Sequence, residues 1–390
     1  MKKCLAVIIL FYSYNLCGQV SNPFYQSVVN NVSYDSILSH LQHFESLGVK
    51  SPGSSALTNT KNWLISKYQA YGYTDIVQDN FTYVSNTLTN VVVTKTGTLY
   101  PNTFVIVSGH YDTSSGTGTN DNGSGVSILL EIARLLANIS TEYSVRFINF
   151  SGEEAGLRGS KHYADDIAEA QGMDIRLVFN IDEVGGIAGM ANNTISCERD
   201  QSSGYPSVSS NNAASSAYTD TLVTLTQLYS TLSTEITNAY GSDYMPFEYN
   251  GEIITGYYEN NESSVVHTSS DNLAHLDTSY VYQIAQAATG ATLYFAVAYD
   301  DVTEISEINP VSSPCIYPNP FTAWVQIRNT SESIQNIKVF DLRGIKVSGF
   351  VVPGLSELSY DFSFLNSGLY IIEISDTEGT ILERKKITKL

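Results

Sequence analysis

The chain has 390 residues, 43% of them hydrophobic and 15% charged, long enough for two domains with a sizeable core and too apolar for gross disorder. Its formal net charge of -19 argues against nucleic acid and anionic membranes as partners. The acidity is uneven: residues 19–306 carry ten Lys and Arg against thirty Asp and Glu, whereas from Glu307 onward eight face nine.

Met1-Lys2-Lys3 and the apolar run at residues 4–11 read as a secretory signal peptide over residues 1–18, cleaved after Gly18. The run is too short to span a bilayer, and no later segment reaches that length. Cys17 precedes Gly18, the wrong order for a lipoprotein signal. Cys4 and Cys17 would leave with the signal, and the remaining Cys197 and Cys315 are too few for a disulfide framework, so both are expected free.

Residues 34–47 and 55–71 carry apolar side chains at helical spacing, among them Ile37 and Leu41 in the first and Leu57 and Leu64 in the second, and Gly72 stops the latter. Residues 81–84 and 90–95 read as an antiparallel pair of strands at a sheet edge. The buried strand Phe104-Val105-Ile106-Val107 then runs into Ser108-Gly109-His110-Tyr111-Asp112. A Gly-rich segment feeds an amphipathic helix over 122–138. The strand at 145–150 ends in Ser151-Gly152-Glu153-Glu154, a helix spans 155–167, and a further strand terminates in Asp182. This alternation predicts an α/β domain over residues 19–300, with a mostly parallel, mixed central sheet and helices on both faces.

Residues 192–217 read as a long Ser- and Asn-rich loop. Helices are expected at 217–232 and 279–298, with a strand at 252–258. An acidic linker over 301–314 leads to short alternating runs at 323–328, 337–340, 368–374 and 380–387. They predict a small C-terminal all-β sandwich over 315–390, without His or a carboxylate cluster and therefore without assigned chemistry.

Ligands of open α/β sheets bind beyond the carboxyl ends of the strands. His110, Asp121, Glu153, Glu154, Asp182 and His267 all fall at such ends or in adjacent loops, a donor set that reads as a metal site. Singly, each has a plainer reading: a satisfied polar residue, a solvated acidic pair, a helix cap. Three successive apolar strands ending in ligand-type side chains outweigh those readings. Amide hydrolysis near neutral pH needs a strong nucleophile, and zinc supplies one by lowering the pKa of bound water from about 15.7 to about 7. The inventory suits two ions: a bridging carboxylate, two imidazoles, two further carboxylates and one carboxylate left as base. Adjacent Glu153 and Glu154 can divide those last duties in a tight turn. Asp112 is placed to accept a proton from the second ring nitrogen of His110 and so orient it. Ser124 and Ser151 lack the Gly-x-Ser-x-Gly surroundings of a nucleophile.

Ser108-Gly-His110-Tyr-Asp112, Gly118-Thr-Asn-Asp121-Asn-Gly-Ser-Gly125, Ser151-Gly-Glu153-Glu154-Ala-Gly156, Asn180-Ile-Asp182 and His267-Thr-Ser-Ser-Asp271 together resemble the M28 family of zinc aminopeptidases, in family order, over roughly residues 34–298. The resemblance implies two Zn2+ ions per chain. His110 and Asp182 would hold one, Glu154 and His267 the other, with Asp121 bridging. It also implies Glu153 as general base and proton shuttle, Asp112 behind the first His, and a cis peptide at Asp121–Asn122. Ser242-Asp243-Tyr244 departs from the family's usual Ser-Asp-His, and Tyr244 is the candidate to stabilise the oxyanion. The implied function is a secreted di-zinc exopeptidase that cuts N-terminal peptide bonds through a zinc-bridging hydroxide. Its alternatives are a single-zinc glutaminyl cyclase and a non-catalytic surface binding module. Aromatic richness, 27 Tyr and 15 Phe, hints at an apolar substrate pocket without establishing one.

In the C-terminal part, Ile316-Tyr317-Pro318-Asn319-Pro320-Phe321, Leu365-Asn366-Ser367-Gly368 and the basic Arg384-Lys385-Lys386 resemble the type IX secretion sorting domain of Bacteroidetes. This implies export through the periplasm to the cell surface or medium by the type IX machinery, with removal of the domain afterwards. An adhesion or carbohydrate-binding sandwich is the lesser alternative.

Overall fold

A computed structural model describes residues 21–200, 210–300, 314–341 and 343–390. The signal sequence expected at 1–18 and nearly all of the expected linker lie outside the described residues. The chain divides into two compact units between Asp301 and Val302.

The first unit runs α1 (Pro23–Val29), α2 (Tyr34–Ser46), α3 (Ser55–Ala70), β1 (Ile76–Tyr83), β2 (Asn86–Lys95), β3 (Tyr100–His110), α4 (Gly123–Leu136), β4 (Ser140–Thr141), β5 (Tyr143–Phe150), α5 (Arg158–His162), β6 (Asp174–Ile181), β7 (Thr194–Arg199), α6 (Asn212–Tyr229), β8 (Ser233–Asn238), α7 (Met245–Tyr249), β9 (Ile254–Glu259), α8 (Thr278–Phe295) and β10 (Ala298–Tyr299). Eight strands form one mixed sheet in the order β1-β2-β5-β3-β6-β9-β7-β8. Its centre, β5-β3-β6-β9, is parallel throughout, while β1, β2 and β7 join antiparallel.

Alternate residues of the central strands enter two different cores, because side chains in a strand point to opposite faces. Val105, Val107, Phe147, Leu177 and Phe179 pack with α2, α3, α4, α6 and α8 on one face. Ile106, Ile148 and Val178 pack on the other with Tyr163, Ala164 and the α7 residues Met245 and Phe247. Burial on both faces is what makes these strands continuous apolar runs.

Three differences from the sequence expectations have physical causes. The helix expected from residue 155 begins at Arg158, because the Glu153 carbonyl accepts from the Gly156 and Leu157 N–H groups in a tight turn, with Gly156 at φ +96. It continues as a π-helical turn over Tyr163–Glu169. The stretch expected as loop at 192–217 contains β7, whose alternation (Ile195 and Cys197 inward) is short and flanked by Ser and Asn. β8, mostly exposed at the sheet edge, has no apolar alternation to reveal it.

The second unit is all-β. Antiparallel sheets β11-β12-β15 and β14-β13-β16-β17 comprise β11 (Cys315–Tyr317), β12 (Trp324–Asn329), β13 (Gln335–Asp341), β14 (Lys346–Val352), β15 (Ser356–Asp361), β16 (Gly368–Ser375) and β17 (Ile381–Lys389). The two sheets share a core that includes Val325, Ile327, Val339, Phe362 and Ile372. Cys197 is buried and Cys315 exposed, and both are free thiols.

Phe179 is fully buried between Tyr257 and Phe295, with ring centroids 5.2 and 6.1 Å away. Phe179→Ala is expected to cost about 3–5 kcal/mol, read as an earlier urea transition of the first unit. Wild-type behaviour would contradict the two-face packing.

Candidate metal centre

The carboxyl ends of β3, β5 and β6 deliver His110, the Glu153-Glu154 turn and Asp182 to one rim of the sheet. The loop from β3 to α4 brings Asp121 there, and the Asp121–Asn122 peptide is cis, as the resemblance implied. Asn122 caps α4: its Oδ1 accepts from the Gly125 N–H (2.9 Å), while its Nδ2 donates to the Ile181 carbonyl at the end of β6 (2.9 Å). Gly125 sits so close that a Cβ there would lie 2.4 Å from that carbonyl oxygen. Asp271, distant in sequence, accepts the N–H groups of Asn120 (2.7 Å) and Asp121 (3.1 Å). One buried carboxylate thus clamps the backbone that carries another.

His110, Asp121 and Asp182 form one triplet; Asp121, Glu154 and His267 form a second. Asp121 belongs to both through different oxygens. Its Oδ1 lies 3.1 Å from His110 Nε2 and its Oδ2 3.0 Å from His267 Nε2. Asp182 Oδ1 completes the first group at 3.1 Å from His110 Nε2, and Glu154 Oε2 the second at 3.3 Å from His267 Nε2. The remaining oxygens are held elsewhere. Asp182 Oδ2 accepts from the Ser242 hydroxyl (2.5 Å), the end of a chain running Ser108 to Asn180 to Ser242. Glu154 Oε1 accepts from the Ser114 N–H (2.8 Å). His267 alone is open to solvent, its side chain 58% exposed and its φ +57, whereas His110 is buried.

His110 Nδ1 lies 3.2 Å from the Asp112 backbone carbonyl. A carbonyl can only accept, so the proton sits on Nδ1 and Nε2 presents its lone pair to two carboxylate oxygens. Lone pairs facing lone pairs need a cation among them, a proton or a metal ion. The Asp112 carboxylate, expected from sequence to take that Nδ1 proton, stands 3.8 Å away and accepts instead from the Glu153 N–H (3.1 Å). The contact therefore comes from the backbone of Asp112, while its side chain holds the Glu153 turn.

The electrostatics carry the same demand. Burial, with Asp182, Asp243 and Asp112 nearby and only His110 opposing, pushes Glu153 up to about 10. Burial and the charge of Asp121 push Glu154 up to about 8. Burial opposes charge on Asp121 as well, but hydrogen bonds from His110 and His267 overcome it and hold that carboxyl low. His267 is raised to about 9, chiefly by its hydrogen bond to Asp121. Carboxyls this crowded stay ionised near neutral pH only when cations join them. The donors present, imidazole and carboxylate in two triplets sharing one residue, suit zinc.

Glu153 faces this centre across a cleft of about 880 Å³, its Oε2 4.0 Å from His110 Nε2. Tyr244, expected from sequence as the oxyanion-stabilising hydroxyl, is instead fully buried. Its hydroxyl accepts from the Tyr240 N–H (2.9 Å) and packs in the smaller core, which fixes the turn before Ser242. Sequence reading passed over Glu183 and Tyr258, which line the cleft with the hydroxyl donating to Glu183 Oε2 at 3.0 Å. The acid directly following Asp182 was the available signal for Glu183.

The family model "Peptidase family M28" matches residues 90–292, and the model "Secretion system C-terminal sorting domain" matches residues 315–389. Aminopeptidase YwaD of Bacillus subtilis (strain 168) is 34% identical over 199 residues, 50% of this chain and 41% of that protein. The chain spans less than half the length of the curated relatives it matches. The LapA aminopeptidase of Legionella pneumophila superposes with a TM-score of 0.62 at 20% identity, covering 77% of this chain and 81% of that one. A Bacteroides thetaiotaomicron glutaminyl cyclase bound to N-acetylhistamine superposes with a TM-score of 0.54 at 19% identity, covering 67% and 97%. At these identities the solved structures establish the fold alone.

A carboxyl raised on folding stabilises fully below its unfolded value, and that stability is lost as pH climbs toward the folded value. For Glu154 the window runs from about 4.5 to about 8, and the raised histidines act in the same direction. The melting temperature of the metal-free protein should therefore fall as pH rises through that window. Added zinc should oppose the fall increasingly at higher pH, since its ligands must deprotonate. A metal-free melting temperature that is flat or rising across this range would contradict the electrostatic account.

Proposed function

This chain belongs to peptidase family M28, and we propose that it is a di-zinc exopeptidase that removes residues from the free amino ends of peptides. The observation that carries the reading is the placing of the two oxygens of Asp121 against two different imidazoles, each with a further carboxylate. In this reading His110 and Asp182 would hold one ion and Glu154 and His267 the other, with Asp121 a member of both groups.

Zinc, when bound, supplies an acidified water and a Lewis acid for the scissile carbonyl. Proton traffic falls to Glu153. One of its carboxylate oxygens takes the proton released as water adds to the carbonyl carbon, and the same oxygen returns it to the departing amine nitrogen. The Asp112 carboxylate holds the Glu153 backbone, and the Asp112 carbonyl keeps the His110 proton on Nδ1. The Ser108–Asn180–Ser242 chain fixes the rotamer of Asp182. A free α-ammonium suits a cleft so rich in carboxylates, whereas a blocked amine leaves them uncompensated.

Glutaminyl cyclase is the second reading, because such an enzyme shares the fold. A single-zinc site uses only one of the two triplets, and here both are assembled. A binding module that had lost ligands is disfavoured for the same reason. The sorting domain supports export to the cell surface or medium, and no helix among the described residues is long and apolar enough to cross a membrane.

Glu153→Ala should retain zinc and lower kcat/KM on aminoacyl anilides by about 10²–10⁴-fold, while acetylated substrates resist the wild type. Undiminished turnover by the variant, or equal cleavage of blocked substrates, would overturn the proposal.

A further inference from the structure

Beyond the metal centre, one wall of the cleft is set by strand register. Ser196 and Glu198 of β7 stand opposite Tyr258 and Gly256 of β9 and opposite Glu235 and Thr237 of β8. These positions share one face of the sheet, since Ile195 and Cys197 between them point into the larger core. Among the described lining residues there is no Lys or Arg, and Leu157 is the one aliphatic side chain. The apolar pocket hinted at by aromatic content is not what this wall offers.

The carboxylates of the wall differ in how they are used. Glu259 is committed to structure, accepting from the Asn120 amide (3.0 and 3.1 Å) and the Gly186 and Ser263 N–H groups (both 2.6 Å). Glu183 accepts from the Tyr258 hydroxyl, and Glu235, exposed at the rim, accepts from the Asn260 amide (2.7 Å). Glu198 is different: it is 5% exposed, lines the cleft, and its Oε2 has no hydrogen-bond partner. Burial, opposed by a hydrogen bond from the Tyr244 hydroxyl and reinforced by Asp182, pushes its carboxyl up to about 8, as befits an acid that lacks a counter-charge. A buried carboxyl with one unfilled acceptor, set in a cleft wall, is completed by a donor carried on a ligand.

We infer that this wall, with Glu198 at its base, Glu183 beside the metal centre and Glu235 and Glu262 at the rim, receives a cationic side chain, so that the preferred substrates are peptides beginning with lysine or arginine. The inference rests on the exopeptidase reading above and deepens it. A lysine ammonium or arginine guanidinium brings several donors and the missing positive charge on a flexible apolar stem. Rim carboxylates would draw such peptides in.

Norleucine is a lysine without its charge, so the test is the ratio of kcat/KM for lysyl against norleucyl anilides by the zinc-loaded full chain. The expected ratio is about tenfold or more, shrinking as salt rises. Glu198→Gln and Glu183→Gln should each lower it about tenfold. Glu235→Lys, an exposed reversal that spares the core, should lower it severalfold through KM. Norleucyl turnover as fast as lysyl, or a ratio that survives all three variants, would overturn the inference while leaving the exopeptidase reading intact. Absence of hydrolysis with every anilide would overturn that reading and this inference with it.

Discussion

Everything at the rim of the sheet turns on Asp121 being shared. One buried carboxylate faces two imidazoles through two oxygens, and each imidazole faces a second carboxylate. His110 Nδ1 already spends its proton on a carbonyl, so these acceptors are joined only through added positive charge, as protons on the imidazoles or as metal ions. Positive charge must occupy the space between, and the donor types and burial favour zinc over hard cations that prefer all-oxygen cages.

The scaffold meets this demand by rigidity. The strands that end at the centre are sandwiched between two cores, so their carboxyl ends shift little. The irregular segments are pinned where they carry ligands. Asp271 clamps the Asp121 backbone, Asn122 ties α4 to the end of β6, and Asp112 holds the Glu153 turn. Such supporting contacts orient metal ligands and are costly to remove. His267, solvent-exposed in an irregular loop that lines the cleft, is the exception.

Much of this was legible in the amino-acid sequence, and the limits are instructive. Long apolar runs announced β3, β5 and β6, and each ends in a ligand-type side chain, so His110, Glu153, Glu154 and Asp182 stood out by local pattern. His267 follows no such run and stood out only as an imidazole in the stretch between a predicted strand and the closing helix. β7 and β8 were missed because short strands rich in polar residues carry little hydrophobic periodicity. Tyr244 was placed in the site by its neighbours in sequence, but partners remote from that stretch bury its ring with Phe247 and Ile254. The clamp by Asp271 depends on backbone N–H groups far away in the chain, which spacing does not encode. The wall around Glu198 is likewise a product of register between three strands, visible once pairing is known.

The central claim is that two ions, not one and not none, complete the rim. Elemental analysis of the purified full chain after exhaustive dialysis against buffer containing trace zinc tests it most directly, with Asp121→Ala as control. The account predicts two zinc ions per wild-type chain and loss of both on replacing the shared carboxylate. A single ion, or two that survive that substitution, would contradict it.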